Sequence, residues 1–482
     1  MLSIFRRSLA PAFAIALLGA QSGCARNPVT GGLQLALVSE AQEIQMGQQA
    51  AQEVQATMGL VDNAQLQAYV NEIGQRLAAI SERPNLPWSF AVVDDPTPNA
   101  FALPGGPVFV TRGMMDLMST EAQLASVLGH EVGHITARHH VTSMSRQQLA
   151  QLGLGIGGLI VPQVQQFGSL AGAGLQLLFL SHGRDAERQA DELGFRYSVA
   201  QGFDVRQMAE VFTSLQRLGE ESQQSAVPSW LMTHPAPADR VTAVEARIAA
   251  MPTPASTPRI GRQTYLEHLE GLIYGENPRN GYFRNNLFLH PDMRFQMTFP
   301  DQWQTQNMTQ AVMAMSPQQD AIIQLTLAQG TTPEAAAQQF LNQQGLVVGQ
   351  SGRETINGLP AVLATFQAQT QQGVLQGIVA FIAQGGQVFQ LLGYSPVNAY
   401  RTYDGLFQQA LGSFAPVSDP QVLNVRPNRV AIVRTPESMT LTQFNQRYPS
   451  TIDIEDLVIM NQLSGAGAVI PAGSLIKRVI QS

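Results

Sequence analysis

His130-Glu131-Val132-Gly133-His134 lies in a stretch whose apolar residues recur at helical spacing, and its reading decides the fold around it. Each helical residue turns by about 100°, so positions i and i+4 lie about 40° apart and both imidazoles face one way. Two neutral imidazoles so placed chelate one zinc ion, and the glutamate between them reaches a water that the metal activates. Leu124, Leu128, Val132 and Ile135 fall on roughly the opposite side, which predicts a histidine stripe lining a cleft and an apolar face in a core. The same string also fits a solvated helix face.

A zinc site that keeps one position open for water needs a third protein ligand. Downstream, Ser181-His182-Gly183-Arg184-Asp185-Ala186-Glu187-Arg188-Gln189-Ala190-Asp191 again reads as a helix. Glu187 and Asp191 are four apart and share a face. Glu187 can therefore ligate the metal while Asp191 accepts from the outer nitrogen of a ligand histidine and fixes its tautomer. A charged surface helix, with Arg184, Asp185, Glu187 and Arg188 in solvated pairs, is the plainer alternative. Its place after the first motif favours the metal.

Five elements in this order resemble the zinc metallopeptidases that include the CaaX prenyl protease, HtpX and BepA, family forty-eight of the metallopeptidases. They are Asn27-Pro28-Val29-Thr30-Gly31, Asn99-Ala100-Phe101-Ala102-Leu103-Pro104-Gly105-Gly106, the His130–His134 helix, the Glu187/Asp191 helix, and Thr233-His234-Pro235. The resemblance implies an α+β chain with a mostly helical gluzincin-type domain and a small sheet. It implies one Zn2+ per chain held by His130, His134 and Glu187, with Asp191 behind them and Glu131 as general base. For His234 it offers two roles: a donor to the developing oxyanion, or an occupant of the open zinc position that holds the enzyme inactive. Arg240 would support that loop or bind substrate carbonyls. Phe101-Ala102-Leu103, before a Pro-Gly-Gly-Pro turn and Val108-Phe109-Val110, reads as strand, turn and strand. The resemblance makes that edge a substrate-binding strand, pairing with extended peptide; an ordinary hairpin is the alternative.

Residues 1–23 read as a secretory signal, with Arg6-Arg7 followed by the short apolar run Leu9 to Ala20. Gln21-Ser22-Gly23 before Cys24 resembles a lipobox, although Gln21 replaces the usual Leu. Cys24 is thus expected to carry lipid and, with Ala25 following, to anchor a periplasmic protein to the outer membrane. A single cysteine excludes an internal disulfide framework, and a net charge of −7 with no nucleic-acid motif argues against nucleic acid as a partner.

With 482 residues and 44% hydrophobic content the chain is long enough for several packed units. We place the metalloprotease domain at 24–251 and a Pro-rich linker at 252–279. An α+β sandwich resembling PsbP-like or Mog-like domains follows at 280–416, and a βααβ segment resembling a LysM module closes the chain at 427–482. The Gly- and Leu-rich stretch 150–180 stops short of a membrane span and reads as a helical hairpin, a lid or plain core. Together these readings predict an exported zinc endopeptidase acting on unfolded or misassembled envelope proteins. The rival reading is an envelope assembly factor or chaperone with a self-inhibited zinc site, in contact with outer-membrane assembly machinery and tethered to peptidoglycan by its C-terminal module.

Overall fold

The computed structural model describes residues 24–151, 182–221, 230, 233–234, 237–253, 256–370 and 373–481. The expected signal segment and the Gly/Leu-rich stretch beyond residue 151 lie outside them. The chain divides into two compact units: one holds residues up to 55, 59–274 and 429–480, the other chiefly 275–428. Helix and strand are mixed, as an α+β reading requires.

The first unit opens with an antiparallel pair, β1 (Cys24–Arg26) and β2 (Leu33–Leu35). In the turn between them the Asn27 side chain accepts from the N–H groups of Val29 at 2.8 Å and Thr30 at 3.1 Å, and Gly31 takes the left-handed conformation at φ +69°. Asn27 Nδ2 also donates to the Ala137 carbonyl at 3.2 Å, so this motif is tied to the end of the His130–His134 helix. Helix α1 (Glu40–Met58) starts at the capping box Ser39/Gln42. Its buried Glu43 accepts from Arg83 at 2.7 Å and from Arg138 at 3.0 Å, and Arg83 donates onward to the Ile135 carbonyl at 3.0 Å. In α2 (Ala64–Ala78) Leu66, Tyr69, Val70, Ile73 and Leu77 are buried, as their spacing predicts.

A three-stranded sheet follows, in the order β3 (Ser89–Val93), β5 (Pro107–Thr111), β4 (Ala100–Ala102). β3 runs parallel to β5 and β4 antiparallel, which leaves β4 on an edge. After the short α3 (Arg112–Leu117) comes α4 (Glu121–Thr136), which carries the motif and is buried along its whole length. The sequence predicted a helix with one face in the core; it is instead the central helix of the unit. Helices α5 (His139–Gln151), α6 (Arg184–Ala200) and α7 (Arg206–Glu221) pack against it, and α8 (Pro237–Ala249) packs on α6 and α7.

Small residues set the α4–α6 spacing. A Cβ at Gly194 would stand 2.7 Å from the His130 backbone nitrogen, and one at Gly133 would stand 3.1 Å from the Ala190 Cα. The backbones approach closely enough to bring ligands from both helices to one point.

The segment read as a linker is built differently. Ile260 and Gly261 carbonyls accept from the first N–H groups of α4, Ala122 at 3.1 Å and Glu121 at 3.4 Å. Helix α9 (Arg262–Leu269) then buries Tyr265, Leu266 and Leu269. Proline clusters at 252–258; beyond that cluster, apolar residues at helical spacing give the chain a face to bury.

In the second unit β6 (Tyr282–Arg284), β7 (Leu287–His290), β8 (Phe295–Thr298) and the closing β16 (Ala415–Pro416) form a four-stranded sheet in the order β16-β8-β7-β6. A seven-stranded antiparallel sheet, ordered β12-β13-β14-β15-β11-β10-β9, joins β9 (Gln304–Met308), β10 (Ala311–Met315), β11 (Ile322–Leu327), β12 (Leu346–Ile356), β13 (Leu359–Thr370), β14 (Gly373–Gln384) and β15 (Gln387–Pro396). Asn357-Gly358 and Gly385-Gly386 turn its hairpins with positive φ at both positions, the twist a two-residue turn requires. Helices α10 (Pro333–Leu341), capped by Thr332, and α11 (Tyr400–Gly412) pack on the sheets.

Residues 429–480 return to the first unit. They run β17 (Asn428–Arg434), β18 (Met439–Thr440), α12 (Leu441–Arg447), α13 (Ile454–Met460), β19 (Val469–Ile470) and β20 (Leu475–Gln481), with β17 paired to β20. Val430, Ile459, Met460 and Val479 join the same core as Leu124 and Leu128. The buried Lys477 ammonium donates to the Asp116 and Met118 carbonyls, both at 2.6 Å.

Candidate metal centre

Helix α4 presents His130 and His134, α6 presents Glu187, and His234 stands just ahead of α8; their ligand atoms lie within 4.8 Å of one another, all buried. His130 Nε2 is 3.0 Å from His134 Nε2 and 3.5 Å from Glu187 Oε2, and His134 Nε2 is 3.3 Å from Glu187 Oε1. His234 Nδ1 is 3.3 Å from His130 Nε2 and 3.1 Å from Glu187 Oε2. A tetrahedron with arms of about 2.0–2.1 Å has edges of about 3.3 Å. With Glu187 Oε1 as one vertex, four of the six edges are given, at 3.0–3.3 Å, with His234 at the fourth vertex. The donor set, three imidazoles and a carboxylate, suits Zn2+.

The surrounding contacts orient these ligands. His130 Nδ1 is 2.9 Å from Asp191 Oδ1, so the carboxylate holds the proton on the outer nitrogen and leaves Nε2 for a metal. Arg240 clamps Asp191 with two bonds, Nε to Oδ2 at 2.8 Å and a second guanidinium nitrogen to Oδ1 at 2.6 Å, and lies 3.4 Å from Glu187. Its guanidinium also stacks over Phe212 at 4.1 Å and Trp230 at 4.7 Å. Trp230 in turn stacks on the His234 ring, with centroids 5.2 Å apart, and its carbonyl accepts from the His234 N–H at 2.8 Å. Arg240 is thus buried behind the ligands.

Glu131 is fully enclosed. Its Oε1 has no hydrogen-bond partner among the described residues and stands 3.6 Å from His234 Nε2. Burial raises its pKa, against the opposing charge of His234 and His130. A carboxylate so tuned is a better base near neutrality. Burial would raise Glu187 too, but His234 and His134 beside it and the bonds from His130 and His134 hold it well below the usual range. Burial and the Arg240 charge press His130 down, yet its bonds to Asp191 and Glu187 prevail and bring it up to about 9. Burial and the neighbouring His182 push His134 well below its ordinary value.

Six of the eight histidines gather here. The His182 ring lies 4.2 Å from His134 and 4.7 Å from His140, and His139 touches His134 as well. Sequence reading missed His139, His140, His182, Trp230 and Phe212. Only the density of histidine between 130 and 140 hinted at the first two.

The expected substrate edge takes a definite form. Leu103 N–H bonds to the Pro107 carbonyl at 2.8 Å and Thr111 N–H to the Asn99 carbonyl at 2.9 Å. With antiparallel alternation, Asn99, Phe101 and Leu103 spend their backbone groups on β5, and Ala100 and Ala102 turn theirs away from it, where both residues are buried. The Phe101, Ala102 and Leu103 side chains are buried. No described helix is long and apolar enough to cross a membrane.

Known proteins match parts of the chain. A beta-barrel assembly-enhancing protease from Yersinia pestis is 31% identical over 241 residues, 48% of this chain and 48% of the relative. The protein of the same name from Escherichia coli (strain K12) is 29% identical, covering 42% and 43%. The mitochondrial metalloendopeptidase OMA1 of Schizosaccharomyces pombe is 30% identical, covering 42% and 60%. The chain spans about half the length of the curated relatives it matches. Among solved structures, PsbP from Synechocystis sp. PCC 6803 is 10% identical with a TM-score of 0.24, over 28% of this chain and 95% of that one. The family model described as Peptidase family M48 matches residues 64–248, a range that holds all four clustered ligands, Glu131, Asp191 and Arg240. That region of the chain is a Peptidase family M48 domain.

Proposed function

We propose that this chain is a latent zinc endopeptidase of the bacterial envelope, hydrolysing unfolded or misassembled envelope proteins, with His234 closing its site. The observation that carries the reading is the tetrahedron of four buried donors in which His234 Nδ1 stands 3.1 Å from Glu187 and 3.3 Å from His130. Sites with all four positions filled by protein are inert, whereas catalytic sites keep one open.

His130, His134 and Glu187 would hold the ion, and His234 would swing out to admit substrate. Zinc, when bound, lowers the pKa of water toward about 7 and polarises a carbonyl. Glu131 takes the proton as the water oxygen attacks the peptide carbon, then passes it to the amine as the C–N bond breaks. The backbone groups of Ala100 and Ala102 that β5 leaves unused, buried in this closed form, would pair with an extended substrate once the site opens, a mode that reads main chain more than side chains. Arg240, buried against Asp191, orients His130 and Glu187 and does not reach substrate.

The names of the bacterial relatives support work near outer-membrane protein assembly and a periplasmic setting; the lipobox-like Gln21-Ser22-Gly23 supports Cys24 as a lipid anchor. The occupied fourth vertex also favours a second reading, an assembly factor whose site stays shut. Zinc content and cleavage of an unfolded outer-membrane β-barrel protein, for wild type, Glu131→Gln and His234→Ala, separate the two. The protease reading expects one zinc in each protein, loss of cleavage in Glu131→Gln, and cleavage about tenfold faster or more in His234→Ala. Abolished cleavage in His234→Ala would make the residue an oxyanion donor instead and end the latency reading.

A further inference from the structure

We propose that His139 and Gln189 form a proton-fixing relay that keeps His134 in its metal-binding tautomer, an inference that rests on the zinc reading above. His134 turns Nε2 toward the cluster, 3.0 Å from His130 Nε2 and 3.3 Å from Glu187 Oε1. Its Nδ1 faces His139 Nδ1 at 3.0 Å, and His139 Nε2 faces Gln189 Oε1 at 3.0 Å.

Two imidazole nitrogens in contact need one proton between them, so the chain has a direction. A neutral His134 that ligates through Nε2 must carry its proton on Nδ1. That proton is then donated to His139 Nδ1, and the His139 proton goes to Nε2, where the Gln189 carbonyl oxygen accepts it. Every donor meets an acceptor. Turning the Gln189 amide over reverses the whole series: the amide donates to His139 Nε2, His139 Nδ1–H donates to His134, and the His134 proton is forced onto Nε2, where it blocks the metal. Gln189 thus selects between a ligating and a non-ligating His134.

The two metal histidines are therefore oriented by different means from the same helix. Asp191 of α6 takes the outer proton of His130 directly, at 2.9 Å. Gln189 of α6 takes that of His134 through His139, the first residue of α5. His139 is buried, and neither it nor Gln189 faces the inner nitrogens, so both are positioning residues.

The test is zinc affinity of the full chain, measured by competition with a chromophoric chelator, together with thermal unfolding of the metal-free proteins. His139→Phe keeps the ring volume and removes the acceptor; His139→Asn loses volume but places an oxygen where Nδ1 stood. The relay expects zinc binding 10–100-fold weaker in His139→Phe, within about threefold of wild type in His139→Asn, unchanged or tighter in Gln189→Glu, and about tenfold weaker in Gln189→Leu. Packing alone predicts the reverse order for the two His139 variants. Wild-type affinity in both His139→Phe and Gln189→Leu, or equal losses in His139→Phe and His139→Asn, overturns the relay while leaving the zinc reading intact. A wild-type chain that binds no stoichiometric zinc overturns both.

Discussion

At the scale of single residues, what could be read in advance were the groups whose spacing carries their chemistry. His130, Glu131 and His134 announce themselves because a helix turns i and i+4 to one side, and Glu187 with Asp191 repeats the argument. Trp230 and Phe212 carried no such mark: their role is to wall the Arg240 guanidinium, a contact between segments far apart in the chain. His290, standing alone in the sequence, is structural in the second unit, where its Nδ1 accepts from the Met293 N–H at 3.2 Å. Burial lowers its pKa to about 4. The unfolded chain therefore binds more protons between about pH 6.5 and 4, so the stabilisation is complete above pH 6.5 and disappears toward pH 4. We expect that unit to lose on the order of 2 kcal/mol of stability over this window, after allowance for solvent screening, and His290→Asn to remove most of that acid dependence. Urea unfolding at pH 7 and pH 4.5, followed by fluorescence, measures both.

At the scale of elements, capping boxes, hairpin turns and amphipathic stripes form where local sequence signals place them. Ser39/Gln42, Thr332 and Asn357-Gly358 all do in the fold what their residue types dictate. The α4–α6 contact was not legible, since nothing local says that Gly133 and Gly194 face another helix rather than solvent. Their effect on function follows from distance. At Gly194 a methyl group would meet backbone atoms of α4 at 2.7–3.1 Å, and backbone cannot rotate away as a side chain can. Gly194→Ala should therefore push α6 outward and carry Glu187 off the tetrahedron face it shares with His130 and His134. The expected result is zinc binding at least tenfold weaker with helix content retained; chelator competition and circular dichroism check the two parts. Helix α9 teaches the converse lesson. Prolines at 252, 254 and 258 overshadowed the apolar stripe that follows them and drew a linker across a buried helix.

At the scale of the whole molecule, the sequence marked its segments more readily than their grouping. The βααβ order of the C-terminal segment followed from turn signals and periodicity, but its membership in the same compact unit as the metal helices rests on long-range contacts such as Lys477 to the Asp116 and Met118 carbonyls. A lysine in a strand reads as a solvated residue until its partners are known. The peptidase region is therefore completed by about fifty residues from the far end of the chain, across the intervening second unit. All of this converges on a single point between α4, α6 and the residue ahead of α8. Anomalous diffraction at the zinc edge from the zinc-loaded full chain tests it most directly. The account predicts one peak, about 2.0–2.2 Å from Nε2 of His130, Nε2 of His134, a Glu187 oxygen and Nδ1 of His234. A peak that lacks Glu187 among its neighbours, or no peak within this cluster, would contradict it.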